Sequence, residues 1–338
     1  MSQKKILITG AAGFIASALI LKLLKMGYYV IGIDNHNNYY DPKLKEARIQ
    51  RFINHPNYVH LRLDIINRVK IEDCFNKYQP NYVINLAAQA GVRYSIENPL
   101  AYIDSNILGF THILECCRQS KIEHLVYASS SSVYGANTSM PYTTHQNVDH
   151  PLSLYAASKK ANELMSHAYS NLFNIPTTGL RFFTVYGPWG RPDMALFKFT
   201  KAILLGESIQ VYNNGMHKRD FTYIDDIVDG IICTIEDPAT PNLEWNSKQP
   251  DPSTSKAPWR IYNIGNNSPV NLLDFIKAIE DAVGKKAKIE LLPIQSGDVI
   301  DTYANVDDLV KQFQYSPKTT VENGVNNFVK WYREFYKV

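Results

Sequence analysis

The chain has 338 residues, 45% of them hydrophobic, which is enough to bury one large α/β domain or two domains sharing an interface. Lys plus Arg total 35 against 32 for Asp plus Glu, with no basic run or stripe, so a nucleic-acid or membrane-surface partner has no electrostatic footprint. No window approaches the 18 uninterrupted apolar residues of a membrane-spanning helix, and the nine histidines form neither an HExxH nor a Cys/His cluster, which argues against a metal site.

The opening "MSQKKILITGAAGFIASALI" has lysines before an apolar run, as a signal peptide does. Glycines at 10 and 13 and the amphipathic sequence behind them make it part of the folded chain. "KKILITG" reads as a strand, and "SALILKLLKMG" as a helix stopped by Gly27. In order follow "YYVIGIDN" (strand), "PKLKEARIQRFI" (helix), "YVHLRLD" (strand), "RVKIEDCFNKY" (helix), "NYVINLAA" (strand) and "AYIDSNILGFTHILECCRQS" (helix). "HLVYASSSS" (strand), "SLYAASKKANELMSHAYSNLF" (helix) and "TTGLRFF" (strand) complete the alternation. Strands alternating with helices of ten or more residues predict right-handed crossovers and a parallel sheet covered on both faces.

After about residue 184 the rhythm loosens, and "PATPNLEWNSKQPDPSTSKAPW" is a polar, proline-rich surface excursion. The expected division is a cofactor domain over 1–180 and, over 181–338, mainly a smaller α/β substrate lobe, with some segments returning to the first domain. A ligand would lie between them, at the carboxyl ends of the strands. Cys74, Cys116, Cys117 and Cys233 lack CxxC spacing and read as free thiols in a reducing cytoplasm.

"ITGAAGFIAS" sets Gly10 and Gly13 between the first strand and the first helix, where glycines permit a tight turn and let backbone approach a pyrophosphate on the helix N-terminus. Asp34 ends the second strand, where an acid accepts from the adenosine ribose diol and repels a 2′-phosphate; NAD is favoured over NADP. Ala16 stands at the third position of the glycine fingerprint. The fold class these features predict is a Rossmann-type doubly wound parallel sheet.

In "SLYAASKK" Tyr155 and Lys159 are four residues apart and share a helix face. Tyr39 and Lys43 have the same spacing, but Pro42 between them sits poorly inside a helix. A tyrosine acting as a base at neutral pH must be shifted down by about three units, for which a nearby ammonium and a positive nicotinamide are the expected causes. Lys159 would also hold the nicotinamide ribose. A hydroxyl from Ser129 to Ser132, after the fifth strand, would share the proton of a substrate alcohol.

These residues, with "IDNHNNYYDPKLKEAR", "NLAAQAGVRYSIENP", "YASSSSVYG", "HPLSLYAASKKANE", "LRFFTVYGPWGRPDMALFKF", "KRDFTYIDDIVDG" and "YNIGNNSPVNL", give the chain its likeness. It resembles the extended short-chain dehydrogenases/reductases over nearly its whole length, and within them the UDP-glucuronate 4-epimerases.

The resemblance implies Tyr155 as base, Lys159 as its helper and Ser130 as the hydroxyl that meets the sugar's 4-hydroxyl. It implies tightly bound NAD on Gly10, Gly13, Phe14, Ile15, Asp34, Asn35, Asn38, Asp64, Ile65, Leu86, Ala87, Ala88, Gln89 and Asn106, besides Tyr155 and Lys159. The UDP-sugar would meet Arg93, Ser130, Ser131, Ser132, Thr184, Arg191, Val211, Tyr212, Arg219 and Asp298, with Arg191 and Thr184 at the uronate carboxylate. Related epimerases of neutral sugars carry Arg-Pro-Gly-Asp where this chain has Gln295 and Ser296, so the diphosphate would rely more on Arg219 and Arg93.

The implied reaction is 4-epimerisation of UDP-glucuronate to UDP-galacturonate through a transient 4-keto sugar. Epimerases of UDP-glucose or UDP-N-acetylglucosamine, and UDP-glucuronate decarboxylases, are the alternatives. Decarboxylases of the family carry an acid directly before Val-Tyr-Gly and dehydratases an Asp-Glu pair, where this chain has Ser131 and Ser132. A sensor that binds NAD without turnover has no use for Tyr155 and Lys159. The family's two-fold dimer is expected through the apolar helices around residues 101–117 and 154–173.

Overall fold

The computed structural model describes residues 3–295 and 299–338. Its strands are β1 (Lys5–Thr9), β2 (Tyr29–Asp34), β3 (Tyr58–Arg62), β4 (Tyr82–Asn85), β5 (His124–Ser130), β6 (Thr177–Phe182), β7 (Thr184–Tyr186), β8 (Ser208–Val211), β9 (Lys218–Tyr223), β10 (Trp259–Ile264), β11 (Pro269–Asn271) and β12 (Lys288–Leu291). The helices are α1 (Phe14–Lys25), α2 (Pro42–Gln50), α3 (Arg68–Tyr78), α4 (Tyr94–Glu97), α5 (Pro99–Tyr102), α6 (Phe110–Ser120) and α7 (Leu154–Phe173). After them come α8 (Ala195–Leu205), α9 (Ile224–Ile235), α10 (Leu272–Val283), α11 (Asp307–Phe313) and α12 (Val321–Tyr336).

Seven parallel strands run in the order β10-β6-β5-β4-β1-β2-β3, which is the doubly wound α/β arrangement. The strands read as apolar runs because both faces are covered. The period of two sorts them: Ile6, Ile8, Val30 and Val126 join the core on one face, while Leu7, Ile31, Val83 and Leu125 join the core on the other. α1 and α9 pack on the first face, and α3, α6 and α7 on the second.

Chain order breaks at the sheet's far edge. β10 pairs with β6 in register from Trp259↔Thr177 to Ile264↔Phe182, so the chain passes through α9 and the 238–258 excursion to rejoin the large sheet. The rest of the second half makes a three-stranded sheet, β11-β9-β7, and a parallel β12-β8 pair, with α10 packed on α8 and α12. Strand order reverses between β1 and β4, and the carboxyl ends there open towards these smaller sheets.

One predicted helix is locally rewound. Residues 101–120 form the end of α5, a π-helical segment at Ile103–Gly109, and α6. Such wide turns recur at functional sites.

Candidate active site

A cavity of about 1110 Å³ runs from the carboxyl ends of β1, β2 and β4 to the smaller sheets. At one end is the glycine loop. Gly10 has φ +74°, and a Cβ there would lie 2.9 Å from Ala87 N; a Cβ on Gly13 would lie 2.8 Å from Gly10 O. Both positions are closed to side chains, which leaves bare backbone facing the cavity. Gly13 caps α1 without a side-chain bond, and the first turn of α1 carries no acid, so its free N–H groups and positive pole suit a diphosphate.

Asp34 closes the same end. Its carboxylate accepts from Ala12 N at 3.0 Å and His36 N at 2.8 Å, which fixes its rotamer and leaves lone pairs for a diol. Asn35 donates to Asp64 at 2.8 Å beside it. Bare glycine backbone, an uncapped helix start and an oriented acid fit the diphosphate and ribose of a dinucleotide.

α7 supplies the middle of the cavity. Ser153 caps it by accepting from Ala156 N, so Tyr155 lies in the first turn with Lys159 and Glu163 below it at successive turns of one face. Lys159 Nζ donates to Ala128 O at 2.8 Å, and burial lowers its pKa to about 8, with Glu163 opposing. Glu163 is buried, accepting from Ser129 at 2.6 Å and from the Nε–Nη2 edge of the fully buried Arg181 at 2.8 and 2.9 Å. This network fixes α7 against the ends of β5 and β6.

The π segment performs the same task from the other side. Asn106 receives Gln89 N at 2.8 Å and donates to Ser158 Oγ at 2.9 Å, while Asn162 donates to Asn106 O. Asn106 is buried, is not in the cavity lining, and ties the Ser158 and Asn162 side chains of α7 to the backbone of Gln89 after β4.

The Tyr155 phenol is under opposing influences in the chain alone. Burial pushes its pKa up; the Ser130 hydroxyl and the charge of Arg191 pull it back. Arg191 is the cation that opposes burial at Tyr155, while Lys159 spends one of its three donors on Ala128 O.

Arg191 lies in the loop after β7. Its guanidinium grips Asp193 through Nε at 3.0 Å and Nη2 at 2.5 Å. Both side chains line the cavity, with 23% and 29% of their surface exposed. Tyr39 OH donates to Asp193 at 3.4 Å, so the Tyr39/Lys43 pair is not a second helical dyad; Pro42 starts α2 between them.

Arg48, fully buried on α2, binds this loop to the glycine loop. It donates to Ala12 O at 3.0 Å, Trp189 O at 3.0 and 2.6 Å, Gly190 O at 3.1 Å and Tyr40 OH at 2.6 Å. Trp189 has φ +66°, a left-handed conformation disfavoured for so bulky a residue, and Arg48 holds its carbonyl twice.

At the far end, Arg219 donates to Val299 O and Ile300 O at 2.6 and 2.5 Å. Buried Asp220 beside it accepts from Asn266 N and Ala304 N and anchors that segment under β9. The Arg93 guanidinium lies 5.1 Å from the Tyr212 ring centre.

The cavity thus gathers Gly10, Gly13, Phe14, Ile15, Asp34, Asn35, Asp64, Ile65 and Leu86 through Gln89 with Arg93, Ser130 to Ser132, Tyr155, Lys159, Thr184, Arg191, Tyr212 and Arg219. Asn38 is exposed and not in its lining, where Asn37 is; Val211 is fully buried in the core. Asp298 lies outside the described residues. Sequence reasoning missed Arg48, Asp193, Glu163 and Arg181; only "RPD", an arginine two residues from an acid, carried a local signal.

The sequence signature described as NAD dependent epimerase/dehydratase family matches residues 6–247. Protein CapI of Staphylococcus aureus is 60% identical over 333 residues, covering 98% of this chain and 99% of that protein. A probable UDP-glucuronate 4-epimerase of Rhizobium meliloti is 43% identical over 98% of this chain and 97% of its own. The crystal structure of UDP-glucuronic acid 4-epimerase from Bacillus cereus, in complex with UDP-glucuronic acid and NAD, superposes with a TM-score of 0.87 at 32% identity, covering 98% and 100% of the two chains.

Proposed function

We propose that this chain, which belongs to the NAD dependent epimerase/dehydratase family, interconverts UDP-glucuronate and UDP-galacturonate by epimerisation at C4. The observation that carries the reading is one cavity in which Tyr155, Ser130 and Lys159 share a wall with Arg191 and Thr184.

Gly10, Gly13, Phe14 and Ile15 would hold the cofactor's diphosphate, Asp34 and Asn35 its adenosine ribose, and Lys159 the nicotinamide ribose. When bound, NAD supplies a hydride acceptor that returns the hydride within the same turnover, so no net oxidation occurs. Tyr155 takes the proton of the 4-hydroxyl, with Ser130 hydrogen-bonded to that oxygen, and returns it after the 4-keto sugar has presented its other face. A 4-keto uronate is a β-keto acid and loses carbon dioxide unless its carboxylate is restrained. Arg191, a planar fork suited to carboxylates, provides the restraint with Thr184. Ser131 and Ser132 offer no acid to work on the neighbouring carbon, which disfavours decarboxylation and dehydration.

One observation favours a second reading. Arg191 is already paired with Asp193, so the site also presents a nearly neutral surface, which suits UDP-glucose or UDP-N-acetylglucosamine. The UDP end would rest on Arg93, Tyr212 and Arg219.

A homodimer is supported by exposed Leu100, Ile103, Leu164 and Leu172, apolar side chains on α5, the π segment and α7. Four thiols without disulfides support the cytoplasm, and a product of this class would supply polysaccharide assembly. Incubation with UDP-glucuronate and NAD, followed by proton NMR, tests the reaction. A galacturonate anomeric signal supports it; pentose signals with carbon dioxide, or no change, overturn it.

A further inference from the structure

Arg191 has the geometry of a carboxylate receptor, and in this chain a carboxylate already occupies it. Asp193 takes the Nε–Nη2 edge with both oxygens, at 3.0 and 2.5 Å, as an incoming uronate would. The pair is not a sealed core bridge, since both side chains keep part of their surface open to the cavity. Its backbone is held on both sides, by Arg48 on the Trp189 and Gly190 carbonyls and by Met194 N donating to Arg191 O at 3.2 Å, so an exchange of partners needs only the Asp193 side chain to turn. Asp193 also has other neighbours to receive it. Tyr39 OH lies at 3.4 Å, and the charge of Lys198, another cavity residue, helps to keep the carboxylate ionised.

We propose that Asp193 is a built-in competitor for Arg191: it occupies the guanidinium in the absence of a uronate, yields it to the substrate carboxylate, and retakes it while the oxidised sugar turns. The inference rests on the reaction given above and deepens it. Epimerisation makes contradictory demands on Arg191, which must restrain the carboxylate and yet release it so that the ring can present its second face. Exchange between two carboxylates at one guanidinium is close to balanced, whereas release from a bare arginine leaves a half-buried charge unpaired. Asp193, tethered two residues away, competes at an effective concentration of about millimolar or above. It is thus a specificity-determining residue whose removal tightens the ground state.

Calorimetry on the NAD-loaded protein reads this without turnover. Asp193→Asn should bind UDP-glucuronate about fivefold tighter, the worth of one partly exposed ion pair, and leave UDP-glucose within about twofold. In turnover, KM for the uronate and kcat should fall together. Unchanged or weaker UDP-glucuronate binding by a variant that retains NAD and its melting temperature overturns the inference. Asp193→Ser, too short to reach the fork, repeats the test if the asparagine perturbs folding. Failure to form UDP-galacturonate sinks the reaction itself, an outcome separate from these binding ratios.

Discussion

The two ends of the cavity are built by different means. At the end proposed for the cofactor the site is mostly backbone: Gly10, Gly13, the start of α1 and Asp34 all lie within one β-α-β unit, and the Asp34 side chain is oriented by Ala12 N and His36 N. At the end proposed for the sugar, segments distant in the chain meet: Arg48 reaches Trp189 across 141 residues, and Tyr39 reaches Asp193 across 154. A backbone site tolerates side-chain change and fails on backbone change. A site assembled across the chain makes substrate choice depend on residues that touch no substrate.

The sharpest way to separate the ends is to remove chemistry and leave binding alone. Tyr155→Phe should lower kcat by about 10³-fold or more while NAD stays bound through gel filtration. Comparable turnover would take the proton away from Tyr155.

Arg48→Met strikes the junction between the two ends. It strands the carbonyls of Ala12, Trp189 and Gly190 and frees a left-handed Trp189, so urea unfolding should show a loss of about 3 kcal/mol. The surviving folded protein should lose uronate affinity more than NAD affinity. Equal losses would make Arg48 a packing residue only.

Arg191→Ala should raise KM for UDP-glucuronate about 30-fold, or some 2 kcal/mol, and KM for UDP-glucose less than about threefold. The alanine leaves Asp193 unpaired and repelling the uronate, so the double variant Arg191→Ala/Asp193→Asn should recover part of the loss. A strictly additive double would show that the two side chains do not act on one carboxylate.

The smallest effect lies away from both ends. His124, fully buried at the start of β5, bonds Thr178 Oγ1 at 2.9 Å, and burial lowers its pKa from 6.5 to about 4. Its folded-state pKa is depressed, so the unfolded chain binds the extra proton. Stability is complete above pH 6.5 and falls as pH drops towards 4, by roughly 2 kcal/mol between pH 7 and 5 from this residue. Chemical unfolding of His124→Asn against the unaltered chain should show a shallower fall by that amount.

Legibility in the sequence followed the same division. The strand-helix alternation through β6, the glycine loop, Asp34 and the Tyr155–Lys159 pair were readable because each rests on a local rule: apolar period, turn residues or helix spacing. A return of some later segment to the first domain was expected, but that β10 is the one was not readable, since its pairing with β6 depends on tertiary contacts across the 238–258 excursion. The π turn that positions Asn106 hides inside a run with ordinary helical spacing. Arg48 reads as one more charge on an amphipathic helix and is among the largest fully buried side chains. Arg191 was singled out as a carboxylate partner only through the family resemblance, while Asp193, which holds it, was visible only as a neighbouring acid.

Epimerisation at C4 by removal and return of one hydrogen inside the cavity has a direct signature. The direct measurement is turnover of UDP-glucuronate carrying deuterium at C4, followed by NMR and mass spectrometry of the product. UDP-galacturonate with the label still on C4 is the expected product. Label lost to water, or a pentose nucleotide with carbon dioxide in place of the uronate, would contradict it.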